Sequence, residues 1–258
     1  MKVFTKDALI RKLKEIRSQG WISNARHGNS GGVGNTLEDL LGITENNLPI
    51  PNAAEWELKC QRIGSGSLTT LFHFEPSPRA LKIVGEILLP KYGWKHATIT
   101  DGEMSFRQTI SGQSRSDRGF MVVVDRSVKK VLISFSANAV DKERHSAWFA
   151  SVRKRVGLAE LDPQPYWGFD DLNHKAGTKL LNCFYIQAQV QRERSKESFL
   201  YDKIMILQKF SFEKFLKGIE DGFVFVDFDA RTHHNHGTKF RLRQDRLPDL
   251  YETIQTIA

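Results

Sequence analysis

The chain has little that would brace it covalently. Two cysteines occur in 258 residues, Cys60 and Cys183, far apart in sequence, so neither a disulfide framework nor a zinc knuckle is written here. Long apolar runs are also missing. MKVFTKDALIRKLKEIRSQG alternates charged and apolar residues without the uninterrupted core of a signal peptide, and no later stretch approaches the ~20 apolar residues of a membrane span. A reducing cytoplasm and no membrane partner are expected. No internal repeat, low-complexity tail or obvious linker breaks the sequence into independent domains. Negative charge is in deficit: 30 Asp and Glu face 38 Lys and Arg, a formal charge of +8. That balance favours a polyanionic partner, although a plain basic protein would carry it too. The 40% hydrophobic content is enough to bury a proper core.

The apolar periodicities are those of a mixed α/β or α+β chain. Leu9, Ile10, Leu13 and Ile16 recur at helical spacing behind a Thr5 cap, with Gly20 just past the end. Residues 23 to 35 (SNARHGNSGGVGN) read as a flexible loop. Thr36 and Asp39 then resemble a capping box opening a short helix that Gly42 terminates, which puts Glu38 in its first turn. Strands are expected at 55 to 61, 69 to 74, 103 to 110, 118 to 124, 128 to 135, 183 to 192, 200 to 208, 222 to 229 and 238 to 243. Helices are expected at 143 to 154, 170 to 182, 212 to 220 and 248 to 257.

The stretch PIPNAAEWELKCQR (49 to 62) concentrates the chemistry. In a strand, Trp56, Leu58 and Cys60 face one side while Glu55, Glu57 and Lys59 face the other. Glu57 can hold a divalent cation, and Lys59, two residues on, can orient or help deprotonate a metal-bound water. A further carboxylate from the preceding turn would complete such a site, and Asn52 stands in its place. Taken alone, E-x-K is common, and a solvated Glu–Lys pair on a half-buried strand is the ordinary reading.

The surroundings carry a resemblance. GNTLEDLLGI, the N-N-x-P-x-P-N-x-x-x-W-E-L-K-C stretch, SLTTLFHFEP, PYWGFDDLNHKAGTKLLNCFYIQAQ (165 to 189) and FDARTHHNHGTKFRLR (228 to 243) together resemble the MvaI/BcnI family of restriction endonucleases, relatives of the mismatch-repair nickase MutH. The resemblance implies a PD-(D/E)xK nuclease fold: a mixed sheet flanked by helices, one endonuclease domain over 1–258 in two lobes clasping duplex DNA. Its catalytic elements would lie mainly in 1–75 and its main base-recognition segment at about 228–243. It implies magnesium as cofactor, with manganese as a substitute, and a monomer acting on a short GC-rich pseudo-palindrome of the CC-N-GG type. A cognate methyltransferase is implied as a partner. Position by position, the family's helix glutamate matches Glu38, its turn aspartate matches Asn52, and its E-x-K pair matches Glu57 and Lys59. Helix-dipole placement would account for Glu38 without any catalytic part.

The tail segment gathers Arg231, His233, His234, His236, Lys239, Arg241 and Arg243 around Gly237. Three histidines suggest zinc, but neither cysteine is near in sequence, and a solvated basic loop is the ordinary alternative. With the resemblance, base readout by Arg and His in the major groove is the better expectation. His73 is a second groove candidate, against a core histidine in an apolar strand. Arg107, Arg115 and Arg118 flank a Ser/Gly turn read as a hairpin with a basic tip, suited to DNA contact. Trp56, Trp94, Trp148 and Trp167 read as core. Three functions follow: a magnesium-dependent sequence-specific endonuclease slowed by Asn52, a silent DNA-binding protein of the same fold, or a MutH-like nickase. Asn52 reads either as an engineered substitution or as a natural change, and it keeps the second function open.

Overall fold

The computed structural model describes residues 4–25, 32–43, 56–95, 102–194 and 196–258. In chain order its elements are α1 (Lys6–Ser18), β1 (Ile22–Ser23), α2 (Gly32–Leu41), β2 (Glu57–Arg62), β3 (Leu68–His73), α3 (Leu89–Tyr92), β4 (Trp94–Lys95), β5 (Met104–Ile110), β6 (Arg118–Asp125) and β7 (Lys130–Val140). There follow α4 (Lys142–Val156), β8 (Tyr166–Gly168), α5 (Phe169–Leu180), β9 (Asn182–Glu193), β10 (Lys196–Phe210), α6 (Phe212–Glu220), β11 (Val224–Arg231), β12 (His234–Arg243) and β13 (Tyr251–Thr256). Two compact units result. The first takes Met1–Thr69, Ala176–Phe212 and Gln244–Ala258, and the second takes Thr70–Lys175 and Glu213–Arg243. Among the described residues no helix is long and apolar enough to cross a membrane.

The first unit is built on a five-stranded sheet of order β1-β10-β9-β2, with β13 also paired to β10. The long β9 and β10 are antiparallel, while β2 lies parallel to β9 with Glu57 opposite Cys183 and Lys59 opposite Tyr185. Facing pairs in a ladder share a side, so this register sorts the sheet into two faces. Leu58, Phe184, Ile186, Ala188, Phe199 and Tyr201 pack with Leu9, Leu13 and Ile16 of α1 and Val33, Leu37 and Leu41 of α2 in one buried cluster. Thr5 caps α1, its hydroxyl accepting from the Ala8 amide at 3.3 Å.

Two expectations in this unit are corrected. The α2 helix begins at Gly32, so residues 32–35 are helical, Thr36 is an interior residue and Glu38 stands beyond the first turn. Thr36 is buried, and its hydroxyl donates to Asn24 Oδ1 (3.3 Å) and accepts from the Ala25 amide (3.3 Å), which removes it from capping work. The helix does end as expected: Gly42 adopts φ +67°, and the Ile43 amide donates back to the Glu38 carbonyl at 2.9 Å. At the other end of the chain, the expected helix over 248 to 257 is strand β13, paired antiparallel with β10 from Tyr251 opposite Phe210 to Thr256 opposite Met205. Thr253, Ile254 and Thr256 are β-branched, and the edge of β10 offers backbone partners that the helical period of Leu250, Tyr251 and Ile254 does not reveal.

The second unit holds a five-stranded sheet, β3-β12-β11-β5-β4, and a three-stranded sheet, β6-β7-β8. Aromatic rings fill its core: Phe106 packs on Phe228 and Phe120 at centroid separations of 5.4 and 5.5 Å, and Phe72 packs on Phe240 at 5.1 Å. Trp148 and Trp167 are buried here and Trp56 is buried in the first unit, whereas Trp94 is half-buried. The hairpin expected between 103 to 110 and 118 to 124 is absent. β5 pairs with β11 and β4 while β6 pairs with β7, so the chain changes sheets between them and no common basic tip forms.

Candidate active site

On the polar face of the first unit's sheet, period-two alternation projects Glu57, Lys59 and Gln61 from β2 beside Cys183, Tyr185 and Gln187 of β9. Glu57 is only 1% exposed. Its Oε1 receives Lys59 Nζ at 2.8 Å, and its Oε2 lies 2.9 Å from Lys179 Nζ in the last turn of α5. The ordinary reading of Glu57 and Lys59 as a solvated surface pair therefore gives way: a carboxylate is held between two ammonium groups, out of water. Burial disfavours the charged form of Lys59. The Glu57 carboxylate, through charge and hydrogen bond, outweighs it with smaller contributions from Cys183 and Glu38, and the net pKa is raised. Lys59 is thus an ammonium here, suited to orienting a nucleophile or neutralising a phosphate oxygen.

Beneath this pair, burial pushes the Cys183 thiol well up, so it stays protonated, and Tyr251 is raised by the same cause. Gln61 and Gln187 donate to the Tyr185 hydroxyl, which donates to the Gln244 carbonyl at 2.9 Å. This polar floor fixes the strand carrying Glu57. Glu38, on α2, is close enough for its charge to act on both Lys59 and Cys60. Sequence reasoning named Glu38, Glu57 and Lys59, and these come together. Asn52 lies outside the described residues, as does Glu55. Lys179 was missed because helix C-termini attract lysine without any site nearby, and its partner is 122 positions away.

The metal question turns on donor chemistry. Glu57 Oε2 is buried and carries no aligned hydrogen bond among the described residues, leaving an oxygen lone pair of the type a hard divalent cation takes. Among the described residues no group of three or more His, Cys, Asp and Glu gathers at metal-binding distance, the histidines of the tail included.

In the second unit, alternation along β11 (VFVDFDAR) buries Val224, Val226, Phe228 and Ala230 and turns Asp227 and Asp229 to a polar face. Asp229 receives Arg107 Nε at 2.7 Å and Lys239 Nζ at 3.0 Å. Asp227 receives Arg241 Nη1 at 3.3 Å and the Thr109 hydroxyl at 2.7 Å. Neither aspartate was singled out from the sequence, though their period-two placement was the signal. Burial raises Asp229, but Lys239, Arg107 and His236 outweigh it, so its pKa is lowered.

The β11–β12 turn brings Arg231 opposite His234, leaves His233 at φ +61°, and exposes His233, His234 and His236. The His234 and His236 rings meet edge to face at 4.1 Å. A ladder irregularity between Phe228 and Ala230 re-aims this end of β12, and Gly237 takes φ +82°. A side chain at 237 would approach Glu75 Oε1 at 3.2 Å and the His73 ring at 3.6 Å, so His73, exposed at the end of β3, belongs to this cluster rather than to the core. Arg243 lies at the opposite end of β12, nine residues or roughly 30 Å away along the strand, above the Phe225 ring. Arg115 and Arg118 are turned inward. Arg115 donates to the Gly119 carbonyl (2.9 Å) and to the Ser134 hydroxyl (3.0 Å), and Arg118 stacks over the Trp94 ring at 4.1 Å and beside Trp148.

The family model of the MvaI/BcnI restriction endonucleases matches residues 10–251. No curated protein matches the chain. Among solved structures, the chain is similar to one described as restriction endonuclease MvaI in complex with its cognate DNA substrate, with 24% identity, 99% of this chain and 100% of that chain covered, and a TM-score of 0.78. It is also similar to MvaI in the absence of DNA, with 24% identity, complete coverage of both chains and a TM-score of 0.57. These likenesses show the fold, the mixed α/β fold of that restriction endonuclease, with which PD-(D/E)xK architecture is consistent. A family match that embraces both the Glu57–Lys59 strand and the β11–β12 ribbon settles the assignment: the chain belongs to the MvaI/BcnI restriction endonuclease family.

Proposed function

We propose that the protein is a metal-dependent type II endonuclease that hydrolyses phosphodiester bonds of duplex DNA at a short GC-rich pseudo-palindrome, acting as a monomer at a rate reduced by Asn52. The observation that supports this most is the buried Glu57 carboxylate with Lys59 Nζ at 2.8 Å on one strand face, in a chain of this family. Glu57 and the Asn52 carbonyl oxygen would hold the cation, magnesium or manganese. When bound, such an ion stabilises charge on the phosphate and makes a water more acidic. Lys59 orients that water or the scissile phosphate, and Glu38, from α2, helps hold Lys59 charged and in place. Asn52 supplies an oxygen without the negative charge of an aspartate, which weakens the metal site while leaving the fold alone.

The first unit is proposed as the catalytic lobe and the second as the recognition lobe. Direct base readout is assigned to Arg231, His234 and His236, with His73 and His233 beside them at the exposed turn. Arg243, at the far end of the strand, is assigned to the neighbouring part of the target. Lys239 and Arg241 stand on the ladder held by Asp227 and Asp229 and can contact phosphates or bases, and Arg107, the most exposed of the three, is assigned to phosphate. Arg115 and Arg118, engaged inside the unit, are left out of the readout.

Incubation of the protein and of its Asn52→Asp variant with a mixed-sequence plasmid and magnesium tests this proposal. Discrete fragments, formed faster by the variant and not at all without divalent metal, are expected. Intact plasmid with both proteins would overturn it. Retained site-specific binding together with intact plasmid would favour a silent DNA-binding protein, the reading that Asn52 keeps open.

A further inference from the structure

The E-x-K motif explains one lysine beside Glu57, and the structure holds two. Lys59 and Lys179 are equally withdrawn from solvent, their side chains each 15% exposed against 2% for that of Glu57. A lysine in the last turn of a helix is usually a solvated partner of the helix dipole. Lys179 instead turns its ammonium inward, to within 2.9 Å of Glu57 Oε2. Both oxygens of the Glu57 carboxylate thus face an ammonium group, Oε1 that of Lys59 and Oε2 that of Lys179. The geometry of the two contacts also differs. Lys59 makes a hydrogen bond to Glu57, whereas Oε2 has no aligned hydrogen bond among the described residues, so Lys179 meets it by charge and without a directional bond.

We infer that Lys179 is a positioning residue that occupies the metal-facing oxygen of Glu57 until a divalent cation takes its place, so that ammonium and metal compete for one oxygen. This rests on the proposed metal-dependent activity. A magnesium ion bonds oxygen at about 2.0–2.1 Å, far inside the ammonium contact, and a doubly charged ion on that oxygen faces strong repulsion from a lysine left 2.9 Å away. The four-carbon stem of lysine lets the ammonium swing aside. In the metal-free protein the same ammonium keeps the buried carboxylate from standing half-paired, which preserves the fold and the strand while the site waits for its ion. Lys179 thereby sets how much free metal is needed to load the site, a property separate from the chemistry that Lys59 serves.

Manganese binding to the full chain, measured by calorimetry or by the electron spin resonance of the free ion, tests this, in the original protein and in an Asn52→Asp background. Lys179→Met and Lys179→Gln, which remove the charge, are expected to bind manganese about tenfold more tightly, and Lys179→Arg to bind as the parent does. Unchanged or weaker binding by both neutral variants, or equal tightening by Lys179→Arg, would overturn the inference. A second measurement needs no substitution. Saturating manganese is expected to raise the rate at which a small amine-acylating reagent labels Lys179, read by peptide mass spectrometry, and an unchanged rate contradicts displacement. Glu57→Gln separates the two readings. If it leaves manganese binding intact, the metal site itself is misplaced. If it abolishes binding while the neutral Lys179 variants fail to tighten it, the inference about Lys179 alone fails.

Discussion

Each unit presents a row of charges from one face of a β-sheet whose other face is apolar, yet the two rows are built on opposite terms. In the first unit the acid is sealed: Glu57 is 1% exposed, and each of its two lysines keeps 15% of its side chain in solvent. In the second, Lys239 is as withdrawn as Asp229, but Arg241 is more exposed than Asp227, and Arg107 keeps 54% of its side chain in solvent while paired with Asp229. Desolvated charges are costly unless matched, so the Glu57 carboxylate depends on the ammonium groups that face its two oxygens. A pair with one exposed member, as Arg107 with Asp229, contributes little to stability. There the aspartates act as rails that space the cations along the ribbon, leaving their outer surfaces to a polyanion. Charge stored inside suits chemistry, and charge displayed outside suits recognition.

Breaking the sealed site should have the largest effect. In the Asn52→Asp background, Glu57→Gln is expected to lower cleavage by roughly a thousandfold, about 4 kcal/mol, while site-specific binding in a gel-shift assay persists. Equal loss of both would mean that Glu57 only supports the fold. Next come the display residues. Arg231→Ala is expected to cost about 1–3 kcal/mol of affinity and relax the preference at one base position, whereas Arg107→Ala should weaken all sequences alike and flatten the salt dependence of binding. Identical specificity profiles for the two variants would erase the distinction drawn along the ribbon.

Arg115→Ala sharpens the same contrast from the inside. Its guanidinium braces the Gly119 and Ser134 backbone and the Ser134 hydroxyl, so its loss should cost about 1–3 kcal/mol of stability in a denaturant titration and leave base preference unchanged. The smallest effect concerns pH. Asp229 titrates below its ordinary value of 3.8 in the folded protein, so its contribution to stability is complete above that value and fades as pH falls toward the lowered one. Asp229→Asn should therefore remove a shallow acid limb from a stability-versus-pH curve, about 1 kcal/mol for this partly buried pairing. A limb that survives the substitution would assign it to another carboxylate.

Local periodicity made much of this architecture readable. The apolar spacing of Leu9, Leu13 and Ile16 marks α1, the span 212 to 220 is a helix as its pattern indicates, and E-x-K on an alternating strand does place Glu57 and Lys59 on one face. Failures came where distant partners decide. The last segment has a helical period but meets the edge of β10, and the strands on either side of Arg115 look like a hairpin but join different sheets. Glu38 reads as a first-turn residue only because the helix start was placed at Thr36, whose hydroxyl is occupied by Asn24. Lys179 carries no motif at all. Only the parallel register of β2 against β9, just after the helix that bears it, brings its ammonium to Glu57.

Single-turnover cleavage of a bound duplex at saturating magnesium, comparing Asn52→Asp with the original chain, probes the catalytic centre most directly. The account predicts a rate increase of roughly a hundredfold, about 3 kcal/mol of barrier, with the bound sequence and the affinity for it unchanged. Equal rates for the two proteins would contradict it, because Asn52 would then not be the weakened metal ligand and the catalytic centre would lie away from Glu57 and Lys59.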